Sequence, residues 1–299
     1  MSVTLKHKIA FIGFGEAASA FVEGWAVKSS AMVVAYDIKT DAIDGDVRLA
    51  KWADYKRVAV MGCESLAGAL KGAEVVFSLV TADQAATVAT QAASFIEKDT
   101  LFFDCNSCAP GTKRNNSDVI NGAGGRYVDV AVMAPVYPKL HKTPVSICGA
   151  YKEAAKDVFD ALDMNATLVE GNIGAASSIK MVRSIMMKGL EALFAECVLA
   201  GRKAGVDTVV LDSLDKTYPG FNFKEKAAYM LERSMTHGIR RAAEMREVAL
   251  TVDELGLNGD MARAAVEWQQ RLGDLQVTAQ ENEDYQTRAD RILAALEKE

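Results

Sequence analysis

Short hydrophobic runs alternate with amphipathic stretches along the first half of the chain. Runs of about four to eight apolar residues between turn-forming residues are typical of buried strands. The predicted strands are Lys8–Ile12, Met32–Tyr36, Arg57–Met61, Glu74–Val80, Leu101–Asp104, Tyr127–Val132, Val145–Cys148 and Thr167–Val169. Strands that are apolar nearly throughout and alternate with helices predict an α/β fold with a mostly parallel sheet covered on both faces.

The pattern of the second half is helical. Helices are predicted between the strands at Ala17–Val27, Ser65–Lys71, Ala82–Ile96 and Lys152–Leu162, and after Gly171 at Ala175–Ala204, Lys224–Glu254, Asp260–Leu272 and Glu281–Glu297. The change in pattern near residue 170 predicts two domains, an α/β domain over residues 1–170 and an all-α domain over residues 171–299. The long apolar helix at Ala175–Ala204 is expected to be buried, within its own domain or against a second subunit.

Composition and charge narrow the functional classes. The chain has 299 residues, half of them hydrophobic, and a net charge of −6, so no basic surface indicates a nucleic-acid partner. Five scattered cysteines fit a reducing compartment better than a disulfide framework. No apolar run approaches the ~20 residues that span a bilayer, and glycines interrupt the N-terminal apolar stretch at once. We therefore expect a cytoplasmic protein with no membrane partner.

The first predicted strand leads directly into a glycine motif with the spacing G-x-G-x-x-A. Gly13 would allow a tight turn, Gly15 a close approach of the backbone to a pyrophosphate, and Ala18 close packing of helix on strand. The N–H groups at the start of the next helix would bind the anion. The whole loop is therefore predicted to contact a dinucleotide, as in a Rossmann domain; it consists of Gly13, Phe14, Gly15, Glu16, Ala17 and Ala18. A glycine turn that serves packing alone is the alternative.

The end of the second predicted strand indicates which dinucleotide. Asp37 lies 22 residues after Gly15, where an acidic side chain accepts hydrogen bonds from the adenosine ribose and repels a 2′-phosphate. NAD is therefore the first choice of cofactor, and NADP the second because Lys39 lies close by. Further cofactor contacts are expected at the carboxyl ends of later strands, from Val80, Thr81 and Asn106.

Two groups of polar residues stand out in the helical half. Lys180, Arg183, Ser184 and Lys188 share one face of the long helix, and His237, Arg240, Arg241 and Glu244 form a stripe on another. Clustered cations favour an acidic substrate, and a lysine among cations can act as a general acid or base near neutral pH. The alternatives are solvated faces with internal pairing, to Glu191 or Glu196 on the first helix and between Arg240 or Arg241 and Glu244 on the second.

Three landmarks resemble the β-hydroxyacid dehydrogenases, the superfamily of 6-phosphogluconate dehydrogenase and 3-hydroxyisobutyrate dehydrogenase. They are the glycine loop, the segment Val128–Pro135, and Gly171-x-x-Gly174 followed by Lys180. The resemblance implies a Rossmann domain followed by an all-helical domain for substrate binding and dimerisation, in a homodimer or larger homo-oligomer. It also implies that Lys180 is the catalytic lysine. Asn106, Ser107, Met133 and Ala134 are expected to line the substrate pocket.

The chain also departs from that family. Ser184 stands where members usually carry asparagine, and Arg183 and Met187 stand where 6-phosphogluconate dehydrogenase has histidine and glutamate. The missing glutamate is the acid expected to protonate the product after decarboxylation. The usual Ser-Gly-Gly loop is also replaced, around Val132–Pro135. The chain therefore resembles a poorly characterised branch of the superfamily rather than 6-phosphogluconate dehydrogenase itself.

The sequence thus predicts an NAD(P)-dependent oxidoreductase of a small 3-hydroxy acid or sugar acid, with Lys180 as general acid or base. An imine reductase and a non-catalytic NAD(P)-binding sensor are the alternatives. No metal is expected, because Cys105 and Cys108 form a CxxC pair without two further ligands at zinc spacing.

Overall fold

A computed structural model of the chain describes residues 5–26 and 32–298. The chain forms two compact units, Met1–Lys180 and Met181–Glu299, and each is considered by itself below. The domain boundary at residue 170 stays a prediction from the sequence. Val27, the predicted end of the first helix, lies outside the described residues.

The first unit is built on an eight-stranded sheet. Its strands are β1 Ile9–Ile12, β2 Val33–Tyr36, β3 Met61–Gly62, β4 Val75–Ser78, β5 Leu101–Asp104, β6 Arg126–Val132, β7 Val145–Cys148 and β8 Ala166–Leu168. They are ordered β3-β2-β1-β4-β5-β6-β7-β8, and every neighbouring pair is parallel except β6 and β7. The strand order reverses between β1 and β4, the position at which doubly wound sheets bind their ligands. The predicted mostly parallel α/β sheet is confirmed.

Both faces of the sheet are buried, which explains why its strands are apolar throughout. Phe11, Phe77 and Phe103 lie on one face, in a core that includes Trp25 and Phe159. The alternate positions of the same strands belong to a second core, with Ile12, Val34, Val76 and Phe102 among its members. Because successive strand residues point to opposite faces, a covered sheet needs apolar residues at both.

The helices of the first unit are α1 Glu16–Trp25, α2 Gly45–Arg57, α3 Leu66–Leu70, α4 Ala85–Ala93, α5 Pro110–Gly122 and α6 Lys152–Ala161. Two of them, α2 and α5, were not predicted. The strand expected at Arg57–Met61 is wrong over most of its length, since α2 continues to Arg57 and β3 begins only at Met61. Helix α2 is largely polar and begins where Asp44 accepts hydrogen bonds from two amides of the first turn. Helix α5 buries polar side chains, so neither helix carries a clear apolar stripe.

The elements of the second unit that the structure describes are helices: α7 Ala175–Ala204, which begins in the first unit, α8 Asp207–Thr217, α9 Phe223–Glu254, α10 Asp260–Asp274 and α11 Tyr285–Leu296. Two cores hold them, one around Leu199 and Leu231 and one around Met245 and Val248. The predicted all-α region is confirmed; α7 and α9 match their predicted bounds within a residue, and α8 was not predicted. None of the described helices is long and apolar enough to cross a membrane.

Candidate active site

The glycine loop follows β1 at the strand-order reversal. Gly13 has a φ of +81°, and a Cβ there would lie 2.4 Å from the Leu79 carbonyl oxygen at the end of β4, so a side chain is excluded twice. Around Gly15, which immediately precedes α1, no described atom beyond its chain neighbours lies within 4 Å of where a Cβ would be. The open backbone in front of a helix N-terminus fits the pyrophosphate of a dinucleotide.

Asp37 fastens this loop to the end of β2. One of its carboxylate oxygens accepts a hydrogen bond from the Phe14 amide at 2.8 Å, and the other from the Lys39 amide at 2.9 Å. Three predicted cofactor residues are therefore in contact. The carboxylate stands at the loop's edge, the place from which an acidic residue reaches the adenosine ribose.

Lys51 is a neighbour of the loop that sequence reasoning missed. Its Nζ donates to the Phe14 carbonyl oxygen at 2.6 Å and to Asp54 at 3.0 Å, and the residue is buried. The Phe14 ring packs against Tyr55, which lies with Lys51 on α2, and the ring centroids are 5.1 Å apart. Helix α2 thus contacts the loop through Lys51 and Tyr55. No sequence signal pointed to this contact, because the helix itself was not predicted.

Asn106 connects the carboxyl ends of β4 and β5. Its Oδ1 accepts from the Val80 amide at 2.7 Å, and its Nδ2 donates to the Ser78 hydroxyl at 3.0 Å. The predicted cofactor residues Val80 and Asn106 therefore meet, while Thr81 is exposed beside them. The buried Asn106 amide orders this edge of the sheet.

Lys180, the predicted catalytic residue, lies at the same edge. Its Nζ donates to the Ser107 hydroxyl at 2.5 Å, and both residues are half-buried. Asn106 and Ser107 lie in the loop between β5 and α5, so this contact and the Asn106 link join the lysine to the carboxyl ends of β5 and β4. The adjacent strand β1 leads into the glycine loop.

A fully buried ion pair, Lys113 with Asp104, lies close to Ser107 in the chain, since Asp104 is three residues before it. Lys113 of α5 donates from Nζ to the Asp104 backbone carbonyl at 2.5 Å, and its Nζ is 3.1 Å from Asp104 Oδ1. Tyr127 and Asn116 donate to the other Asp104 oxygen, at 2.7 and 3.0 Å. Burial alone would raise the pKa of Asp104, but the Lys113 charge and these hydrogen bonds hold it below its usual range. The Asp104 charge in turn raises the pKa of Lys113 against the effect of burial.

Asp129 of β6 extends this group to the start of α7. Its Oδ1 accepts from the Ser177 hydroxyl at 2.6 Å and lies 3.5 Å from Lys113 Nζ. Its Oδ2 accepts from the amides of Gly174 and Ser177, at 3.1 and 3.2 Å, and from the Cys148 thiol at 3.2 Å. We call Asp104, Lys113 and Asp129 the buried charge cluster. The Asp129 motif was noted in the sequence, but a buried lysine on an unpredicted helix left no readable signal.

Met133 and Ala134 follow the end of β6 and are half-buried. The Met133 amide donates to the Pro144 carbonyl at 2.9 Å, next to the last pair of the antiparallel β6 and β7, Val132 with Val145. Their predicted contact with substrate stays a prediction.

The other predicted substrate residues belong to the second unit. Lys188 is buried, 2.9 Å from Glu244 on α9, and donates to Ser184 at 3.0 Å. The Nε of Arg241 lies 2.8 Å from Glu191 on α7, without the alignment of a hydrogen bond. These pairs join two helices, whereas the sequence offered partners within one helix.

Burial outweighs attraction in the second of these pairs. It raises the pKa of Glu191 and lowers that of Arg241, despite their contact. Burial also lowers the pKa of His237 to about 4, with a smaller effect from Arg233, Arg240 and Arg241. Arg183 and Arg240 are exposed, whereas Ser184, Lys188 and Arg241 have the contacts within the unit that are described above.

Metal ligands do not cluster in the part of the chain that the structure describes: no group of three or more His, Cys, Asp or Glu side chains there could hold an ion. The Cys105 thiol is buried, and burial raises its pKa to about 12, so it is a thiol rather than a thiolate at neutral pH.

Comparison with known proteins gives matches over nearly the whole chain. Residues 8–191 match the model described as the NAD binding domain of 6-phosphogluconate dehydrogenase, and residues 202–272 match a domain of unknown function (DUF1932). A conserved hypothetical protein from Sinorhizobium meliloti 1021 is 34% identical, with 98% of this chain and 100% of that chain covered and a TM-score of 0.71.

Two further solved structures extend the comparison. A conserved protein of unknown function, described as structurally similar to 3-hydroxyacid dehydrogenases, is 27% identical over 89% of this chain and 96% of its own, with a TM-score of 0.64. The 3-hydroxyisobutyrate dehydrogenase of Mycobacterium tuberculosis, solved with L-serine, shares the fold at 14% identity, with 96% and 99% of the chains covered and a TM-score of 0.69.

Proposed function

The chain belongs to the family of the NAD binding domain of 6-phosphogluconate dehydrogenase, and on this premise we propose that it oxidises or reduces a small acid. The reaction is the transfer of a hydride between NAD(P) and a 3-hydroxy acid or sugar acid, with Lys180 as general acid or base. NAD is the first choice of cofactor because Asp37 lies at the edge of the loop, in contact with the Phe14 amide.

One observation carries this proposal: the 2.5 Å contact between Lys180 Nζ and Ser107 Oγ at the carboxyl edge of the sheet. A general base must be within hydrogen-bond reach of the proton that it takes, about 2.6–3.2 Å. A substrate hydroxyl in the position next to Ser107 would meet that condition. The same edge carries the glycine loop, so the lysine and the dinucleotide backbone share one side of the first unit.

The residues of the chain have distinct roles in this proposal. The bound cofactor supplies the hydride acceptor or donor. Lys180 takes the hydroxyl proton during oxidation and returns it during reduction, while Ser107 holds its Nζ. Asn106 keeps the strand ends in register through Val80 and Ser78. Arg183, Ser184 and Lys188 follow Lys180 on the same helix, and the sequence predicts that they bind the acid group of the substrate.

A substrate panel tests the proposal. The purified protein is assayed with 3-hydroxy acids, sugar acids and cyclic imines, each with NAD and with NADP, by the absorbance of the reduced nicotinamide. We expect turnover of a hydroxy acid or its oxo acid, faster with NAD. Turnover of imines alone would replace the proposal by the imine reductase alternative. Tight cofactor binding without turnover of any compound would favour a sensor.

A further inference from the structure

The Lys180–Ser107 contact joins two chain segments that are far apart in sequence, and the buried charge cluster holds both segments. Asp104, whose carboxylate contacts Lys113, lies three residues before Ser107. Ser177, whose hydroxyl and amide both bind Asp129, lies three residues before Lys180. Lys113 stands between the two carboxylates, 3.1 Å from Asp104 and 3.5 Å from Asp129. The segments that carry Ser107 and Lys180 are thus both bound to the buried charge cluster.

Asp129 grips the beginning of α7 by its backbone. The amides of Gly174 and Ser177 point their hydrogens at one carboxylate oxygen. The first amides of a helix have no partner within the helix, and a carboxylate that accepts them also interacts favourably with the helix dipole. Gly174 itself has a φ of +101°, and a Cβ there would come within 3.0 Å of Pro110, so the chain enters the helix in a conformation that favours glycine.

We propose that Asp129 is a positioning residue: held by Lys113, it fixes the first turn of α7 so that Lys180 Nζ reaches Ser107. In a helix the rise is about 1.5 Å per residue, so Lys180 lies one turn beyond the amides that Asp129 holds and moves with them. Misplacement of a catalytic group by about 1 Å can lower a rate by about 100-fold. The effect on catalysis rests on the proposed function; the effect on the position of Lys180 does not.

Two adjacent serines provide a matched test. Ser177 donates to Asp129 at 2.6 Å, whereas Ser178 donates to the Gly174 carbonyl at 2.7 Å, within its own helix. Both variants, Ser177→Ala and Ser178→Ala, remove one hydroxyl from the same turn. Asp129→Asn is the stronger third variant, because an amide nitrogen would face donors that now meet a carboxylate oxygen.

Three measurements are made on each variant. The first is hydrogen exchange at the amides of residues 174–177. The second is the rate at which trinitrobenzenesulfonate modifies Lys180, followed by peptide mass spectrometry, and the third is kcat with KM. We expect Ser177→Ala to raise amide exchange and Lys180 modification and to lower kcat by about tenfold, the effect of one hydrogen bond to a charged group. KM for the acid should change by less than about twofold. Asp129→Asn should exceed it on every readout, and Ser178→Ala should match the wild type.

The proposal is overturned if trinitrobenzenesulfonate modifies Lys180 at the same rate in the Ser177→Ala and Ser178→Ala proteins, whatever the result for Asp129→Asn. The proposed function fails separately, as a wild-type protein that turns over no hydroxy acid. In that case exchange and Lys180 modification still decide the positioning role.

Discussion

Asp104 in the first unit and Glu191 in the second are both buried carboxylates beside a cation, yet their pKa values move in opposite directions. Asp104 accepts hydrogen bonds from Lys113, Tyr127, Asn116 and a backbone amide. Together these partners lower its pKa by more than burial raises it. At Glu191 burial has the largest effect, and it outweighs the charges of Arg241, Lys188 and Arg233 and a 3.3 Å hydrogen bond from Gln269. At Asp104 the Lys113 charge has the largest favourable effect and the hydrogen bonds add to it, whereas at Glu191 three cations with one side-chain hydrogen bond do not compensate for burial.

The source of the partners also differs between the two units. In the first unit many of the donors and acceptors are backbone groups at strand ends and at the start of α7, which the fold itself places. At Glu191 and Glu244 the cations are instead long side chains from a facing helix, Arg241 and Lys188. Backbone partners are held by the strands and by the first turn of α7, so they fix the position of the carboxylates that they bind.

The largest expected effect tests this contrast directly. Lys113→Met leaves Asp104 and Asp129 buried without their cation, and we expect a loss of about 3–5 kcal/mol in the free energy of unfolding. Lys188→Met should cost only about 1–2 kcal/mol, because 16% of its partner Glu244 is exposed and water can replace the cation. Urea denaturation followed by circular dichroism measures both, with a separate transition allowed for each unit. Equal losses would mean that the two buried lysines stabilise their units to the same extent.

A second prediction concerns the backbone of the glycine loop. Gly13→Ala should lower the free energy of unfolding by about 2–3 kcal/mol, because it combines a positive φ with a clash at Leu79. Gly15→Ala should leave stability within about 0.5 kcal/mol, since its surroundings are open, but weaken NAD binding by about tenfold or more. Unfolding curves and calorimetric titration with NAD separate the two effects. If Gly15→Ala binds NAD as the wild type does, the loop is not the pyrophosphate site.

These two variants also show what the sequence could predict. Gly13, Gly15 and Asp37 carry local signals, because strand, turn and helix follow one another along the chain and the spacing alone implies that Asp37 lies beside the loop, as its contact with the Phe14 amide shows. Lys113 has no such signal: it lies on a polar helix and is buried only because Asp104 and Asp129 lie opposite. The pairing of Lys188 with Glu244 was equally hidden, since it depends on how two helices pack 56 residues apart in sequence.

The smallest expected effect is a pH dependence in the second unit. His237 has its pKa lowered to about 4, from 6.5, so between these values the unfolded chain binds more protons than the folded one. Stability should therefore fall as the pH decreases from about 6.5 to about 4, with about 1 kcal/mol due to His237 after allowance for solvent screening. His237→Gln should show a shallower pH profile in urea denaturation. An unchanged slope would mean that His237 is not held neutral by its surroundings.

We propose that Lys180 takes and returns the substrate's proton beside a dinucleotide at the carboxyl edge of the first unit. The most direct measurement is kcat for the best substrate of the panel, with the Kd for NAD, in Lys180→Met and in Lys203→Met, an exposed lysine of the same helix. We predict that Lys180→Met loses at least about 100-fold in kcat with an unchanged Kd, and that Lys203→Met equals the wild type. A Lys180→Met protein that retains wild-type turnover would show that Lys180 is not the general acid or base.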